Sequence, residues 1–152
     1  MYEYAFLACN YGVVLGWLLL VFAPHWKWTN RLVHSGLVPV LFGLVYGAIL
    51  FTVSDGSPDG SFATLDGVQA IFTSRQATAA GWIHYLVFDL FIGAWQVRDA
   101  KRLKIPHLAV VPCLVITLFV GPVGLLSYIA LRGAMRKRWL LLETDPEPQQ
   151  PG

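Results

Sequence analysis

Four stretches of the chain are almost continuously apolar, at residues 4–22, 32–53, 77–97 and 106–131, and polar residues gather between them. Each is about 20 residues or longer, and about 20 residues in helical geometry cross the roughly 30 Å of a bilayer's hydrocarbon. The pattern predicts an all-α fold: an integral membrane bundle of four transmembrane helices within residues 1–139. Residues 140–152, acidic and proline-rich, are expected to form a disordered tail. No length remains for a second domain.

The segment boundaries carry their own signals. Trp26 and Trp28 flank Lys27 near Arg31, as an interfacial aromatic anchor does. VRDAKRLKIPH closes the third span with cations and opens the fourth with a proline, which a first helical turn tolerates. Inside the fourth span lie Pro112 and the run Gly121-Pro122-Val123-Gly124. A proline removes one backbone donor and frees the carbonyl four residues earlier, so this helix is expected to kink at Gly121-Pro122. A break in lipid is tolerated only where protein or a cavity covers it, and Thr117 is placed to help satisfy the freed backbone.

The connection over residues 54–76 is long, glycine-rich and supplied with Asp55, Asp59 and Asp66. A solvated loop is its plain reading, although residues 62–72 could lie in the interface or fold back as a lid. Gly12 with Gly16, and Gly43 with Gly47, form GxxxG pairs that let helices approach closely, within the bundle or in a homo-oligomer. If all four segments cross, six cations fall on one side and five on the other, counted from the eleven lysines and arginines. That balance gives no orientation under the positive-inside rule.

Composition agrees with the pattern. Only 13% of residues are charged and the mean hydropathy is +0.57, whereas a soluble domain carries about a quarter charged residues. The net charge of +2 and the absence of basic runs interleaved with aromatics exclude a nucleic-acid partner. Cys9 and Cys113 both lie in apolar runs and read as small buried hydrophobes. The chain opens directly on its first span with no transit peptide ahead of it, so a bacterial inner membrane is the expected location.

The candidate chemistry lies in GWIHYLVFDLFIGAW, residues 81–95, where His84 and Asp89 interrupt an apolar run. Polar groups in lipid cost several kcal/mol without partners. Asp89 stands about 18 Å from one end of its span and about 12 Å from the other. A carboxyl that lacks a cationic partner at that depth holds its proton and can serve as a general acid. It can equally be a structural carboxyl bonded to another helix. His84 is the second candidate, as base or partner. Helical spacing puts Tyr85, Asp89 and Gln96 on one stripe and His84 about 140° from Asp89, so the two could flank one cavity. Trp82, Tyr85, Trp95 and Tyr46 are candidate cavity walls whose faces can stabilise cationic character, although aromatic residues in such helices more often simply pack.

No metal or cofactor is expected: HExxH, paired cysteines, an EF-hand loop, GxSxG, GxGxxG and a Walker loop are all absent from the sequence. Magnesium would enter only with a prenyl diphosphate substrate, for which Arg75, Arg98, Lys101 and Arg102 offer part of a clamp.

WIHYLVFDLFIGAW, followed by IPH, PCL and TLFVGPVGLLSY, resembles the small four-span membrane family typified by abscisic-acid-deficient-four, associated with neoxanthin synthesis. The resemblance covers all four spans, most specifically residues 82–99 and 106–128. It implies a membrane enzyme with an apolar isoprenoid substrate such as a carotenoid epoxide. Opening that epoxide with loss of a neighbouring proton needs an acid and a base in an apolar slot, roles that Asp89 and His84 fit. A related isomerisation or cyclisation of another isoprenoid fits the same resemblance. The non-catalytic alternative is a carotenoid or lipid carrier, or a small subunit of a membrane complex.

Overall fold

The computed structural model describes residues 2–52 and 58–141. Its elements are α1 (Tyr2–Phe22), α2 (Lys27–Thr29), a π-helical turn (Asn30–His34), α3 (Leu37–Phe51), α4 (Leu65–Ile71), α5 (Arg75–Arg102) and α6 (His107–Arg136). The fold is all-α, with no strand among the described residues, and Tyr2–Phe22, Lys27–Phe51, Arg75–Arg102 and His107–Arg136 are each long and apolar enough to cross a membrane. The expected disordered tail and the start of the second loop lie largely outside the described residues.

The second apolar segment is not one straight helix. After the π-helical turn, Gly36 adopts a left-handed φ of 81° and α3 restarts behind it. Glycine takes that conformation without a Cβ penalty. Pro39 then falls in the first turn of α3, where a missing N–H breaks no intrahelical bond.

α5 is the central helix, packing against α1, α3 and α6. The first GxxxG pair serves this packing: a Cβ on Gly12 would stand 2.6 Å from Phe42, and one on Gly16 3.0 Å from Leu90. Gly43 and Gly47 have nothing within 4 Å of where a Cβ would sit. Leu15, Leu44, Phe119 and Leu126 point outward, an arrangement stable against lipid rather than water. The second loop ends in α4, capped by Thr64 through Gly67 N–H at 3.1 Å, and Phe72 just beyond it lies on Gly81 of α5.

α6 is bent beside Gly121 and Pro122, at Val120, whose φ of −144° and ψ of 63° are not helical. The bend is a reversal. Gly124 rests on Thr117 so closely that a Cβ there would overlap the Thr117 backbone, yet a straight helix would hold the two about 10 Å apart. Farther along, Tyr128 and Arg132 both reach Asp99 near the end of α5. Arg136 donates to the carbonyl of Lys104, which precedes the first residue of α6. The ends of a straight 30-residue helix would stand about 45 Å apart. Residues 107–119 therefore run inward from the end of α5, and residues 121–136 return to the same end. Each half is about 20–24 Å long, short of the roughly 30 Å of hydrocarbon.

Two consequences follow. Residues 2 and 141 lie at opposite ends of the bundle. Every lysine and arginine except Arg75 stands at the end where α1 finishes and α6 begins. The six-against-five balance expected for four full crossings becomes ten against one, because Arg132, Arg136, Lys137 and Arg138 return with the second half of α6.

Candidate functional site

The polar residues of α5 form a seam. Tyr85, Asp89, Gln96 and Asp99 recur at helical spacing along one face, and the returning half of α6 offers Gly121, Gly124, Tyr128 and Arg132 at steps of three and four. The two rows run parallel and meet rung by rung. At the basic end, Asp99 is only 3% exposed. It accepts from Tyr128 Oη at 2.8 Å and Arg102 Nη2 at 2.6 Å, with Arg132 Nε at 3.3 Å. Arg132 itself is fully buried, and Trp95 meets the Tyr128 ring edge-on at 5.4 Å. In the middle rung, Gln96 donates through Nε2 to Thr117 Oγ1 at 2.9 Å and to the Gly124 carbonyl at 3.4 Å. Thr117 passes its own proton to the Cys113 carbonyl at 2.8 Å.

The inner rung differs. Asp89 is 8% exposed, and its Oδ2 is buried without a hydrogen-bond partner among the described residues. Its carboxyl rests against Gly121, where a Cβ would overlap it. Tyr85 stands beside it but donates to the Leu118 carbonyl at 3.0 Å, the acceptor that Pro122 deprives of its helical donor. Tyr85, not Thr117, thus repairs the break. The start of the returning half carries N–H groups without intrahelical acceptors and the positive end of a helix dipole. A buried carboxyl with one unbonded oxygen is suited to carry a proton, and such a terminus favours the carboxylate left when that proton is given up.

A cavity of 680 Å³ opens between the first turns of α1 and α5, lined by Tyr2, Phe6, Arg75, Thr78 and Trp82 among others. Arg75 and Glu3 stand 4.0 Å apart at its solvent-facing rim. Trp82 Nε1 donates to Asn10 Oδ1 at 3.2 Å, and its ring lies 5.5 Å from that of Tyr85. Trp82, Tyr85 and Asp89, three and four residues apart, lead from the cavity wall inward to the carboxyl.

The expected site residues therefore fall into four places. Arg75 and Trp82 line the cavity, Tyr85 and Asp89 lie at the break in α6, and Trp95 packs at the Asp99 cluster. His84 is not brought to Asp89: it is exposed on another flank of α5, its ring 5.5 Å from Tyr46 and 4.7 Å from Phe88. Asn10, Asp99, Tyr128 and Arg132 were not among the expected site residues. Asp99 lies near the end of its apolar run, where a polar residue is usually wetted, although its position three residues after Gln96 continues the seam. No three of His, Cys, Asp and Glu come together to hold a metal ion among the described residues.

Comparison with known proteins adds to this geometry. No solved structure matches the chain. It is 24% identical over 132 residues to Protein ABA DEFICIENT 4, chloroplastic, of Arabidopsis thaliana, an alignment that takes in 80% of this chain and 57% of that protein. This chain thus matches little more than half the length of that relative. The ABA4-like family model, described as ABA DEFICIENT 4-like, matches residues 4–128, so the chain belongs to the ABA4-like family.

Proposed function

We propose that this protein is a membrane-embedded enzyme that modifies a carotenoid or related isoprenoid by acid–base chemistry, with Asp89 as the proton donor. The observation that carries the reading is the Asp89 carboxyl, buried with an unbonded oxygen against the break in α6, one helical turn beyond Tyr85 and two beyond Trp82. Membership of the ABA4-like family, with its link to neoxanthin synthesis, supplies the substrate class.

For an epoxide-bearing substrate the step balances on this one residue. Asp89 gives its proton to the epoxide oxygen as the C–O bond breaks, leaving cationic character on carbon. The carboxylate so formed takes the proton from the adjacent carbon, and the released electron pair makes the new double bond. The acid is regenerated and no net oxidation occurs. N–H groups at the start of the returning half would favour negative charge developing beside Asp89. His84, on its separate flank, has no part in this step.

A second reading, a carotenoid- or lipid-binding protein without turnover, draws on one observation: Asp89 is not among the residues lining the cavity. Expression in bacteria that supply carotenoids or prenyl diphosphates, with Asp89→Asn alongside, separates the two. A new isoprenoid detected by mass spectrometry and lost in the variant supports the enzyme. Unaltered isoprenoid bound equally by both proteins overturns catalysis and leaves the carrier.

A further inference from the structure

We propose that the basic end of the bundle holds the phosphate of an anionic lipid headgroup in a pocket between the end of α5 and the start of α6. The pocket has a volume of 290 Å³. Val97, Ala100 and Ile105 make an apolar floor, each buried. Lys101, Lys104, His25 and His107 supply its polar lining. An apolar floor under a cationic rim suits a phosphodiester whose glycerol and chains continue into hydrocarbon. Ten of the chain's eleven lysines and arginines stand at this end, where the span termini place the headgroups of one leaflet.

The backbone adds a second observation. α5 ends with Ile105 N–H on the Ala100 carbonyl at 2.8 Å and Lys104 N–H on the Lys101 carbonyl at 3.1 Å. That pairing is a Schellman cap, whose left-handed position is usually glycine. Here it is Lys104, with φ 54°. Lys104 takes this conformation, as Lys137 does after α6, at a cost that glycine would not incur, and the Lys104 side chain lines the pocket. On the facing side, His107 donates Nε2–H to the Val21 carbonyl at 2.9 Å, which fixes its ring 6.4 Å from that of His25. His107 Nδ1 is thereby left for other partners.

Lipid rather than a soluble anion is the occupant because the rim sits at the membrane boundary and the floor is apolar. The test is native mass spectrometry of the full chain titrated with short-chain phosphatidylglycerol or phosphatidylcholine, with inorganic phosphate and diphosphate as competitors. Phosphatidylglycerol should bind in preference to phosphatidylcholine, resist millimolar phosphate, and weaken roughly 30-fold in Lys101→Gln/Lys104→Gln. Lys104→Gly provides the control against misfolding. Glycine suits the left-handed cap, so this variant should melt no lower than the parent while binding phosphatidylglycerol several-fold more weakly. Equal retention of the two lipids, displacement by free phosphate or diphosphate, or unchanged binding in a fully folded Lys104→Gly protein would each overturn the proposal. Because the readout is lipid binding, failure here leaves the Asp89 chemistry standing.

Discussion

Asp89 and Asp99 are two buried carboxyls on one helix, facing the same returning half of α6, and they are treated in opposite ways. Asp99 accepts hydrogen bonds from Arg102 and Tyr128 and forms an ion pair with Arg132 at 3.3 Å, although the Arg132 guanidinium nitrogens make no hydrogen bond among the described residues. Asp89 meets a glycine and keeps one oxygen unbonded. Burying a charge is sustainable when it is paired and hydrogen-bonded, so the first arrangement holds helices together. The second leaves one carboxyl oxygen without a structural partner, at the depth where the helix breaks. The difference teaches that burial alone does not mark a functional carboxyl; what matters is what the neighbouring element withholds from it.

The comparison can be broken most forcefully at Arg132. Arg132→Met removes one cation from the cluster at Asp99 and should lower stability by about 3–5 kcal/mol, read as the denaturation midpoint in detergent. A loss under 1 kcal/mol would mean that Asp99 is not structural in this sense. Asp89→Asn should instead leave the midpoint nearly unchanged and cut turnover by about 10²–10⁴-fold. An unfolded Asp89→Asn protein would make the two carboxyls alike. A smaller effect is expected of Gly121→Ala, whose methyl would meet the Asp89 carboxyl. It should cost about 1–3 kcal/mol and reduce turnover without touching a titratable group. Wild-type stability and kinetics there would show that the close approach is unimportant.

The reversal itself is sharpened by labelling, with no energy at stake. Single cysteines at Arg138 and Lys27 should react with an impermeant maleimide from one side of the membrane, and a cysteine at Asp59 from the other. Arg138 labelling together with Asp59 would restore a fourth full crossing. The positive-inside rule predicts that the side shared by Lys27 and Arg138 is the cytoplasmic or equivalent one, and labelling from the opposite side would refute that orientation.

Much of this was legible along the chain. The four long apolar helices follow from runs of apolar residues, whose cost in water is local and additive. The break beside Gly121-Pro122 follows from proline's missing donor, again a local property. Asp89 drew attention because a carboxyl at mid-span is costly wherever it points. His84 drew equal attention, but helical spacing alone cannot say which flank a neighbour will cover. Tyr46 meets one face and α6 the other, and that choice separates the two residues.

The amino-acid sequence by itself determined how many apolar helices form, where the last one must break and which polar groups burial makes expensive, since these depend on side chains within a turn or two of one another. Only the tertiary structure decided that the break is a reversal, because a non-helical residue permits many directions and contacts between distant residues select one. Gly121 on Asp89 and Arg132 on Asp99 join residues far apart along the chain, and Gly124 folds back on Thr117 across the break. Their packing sends the second half of α6 back along α5, gathers the cations at one end, and leaves one carboxyl satisfied and the other with an oxygen unbonded.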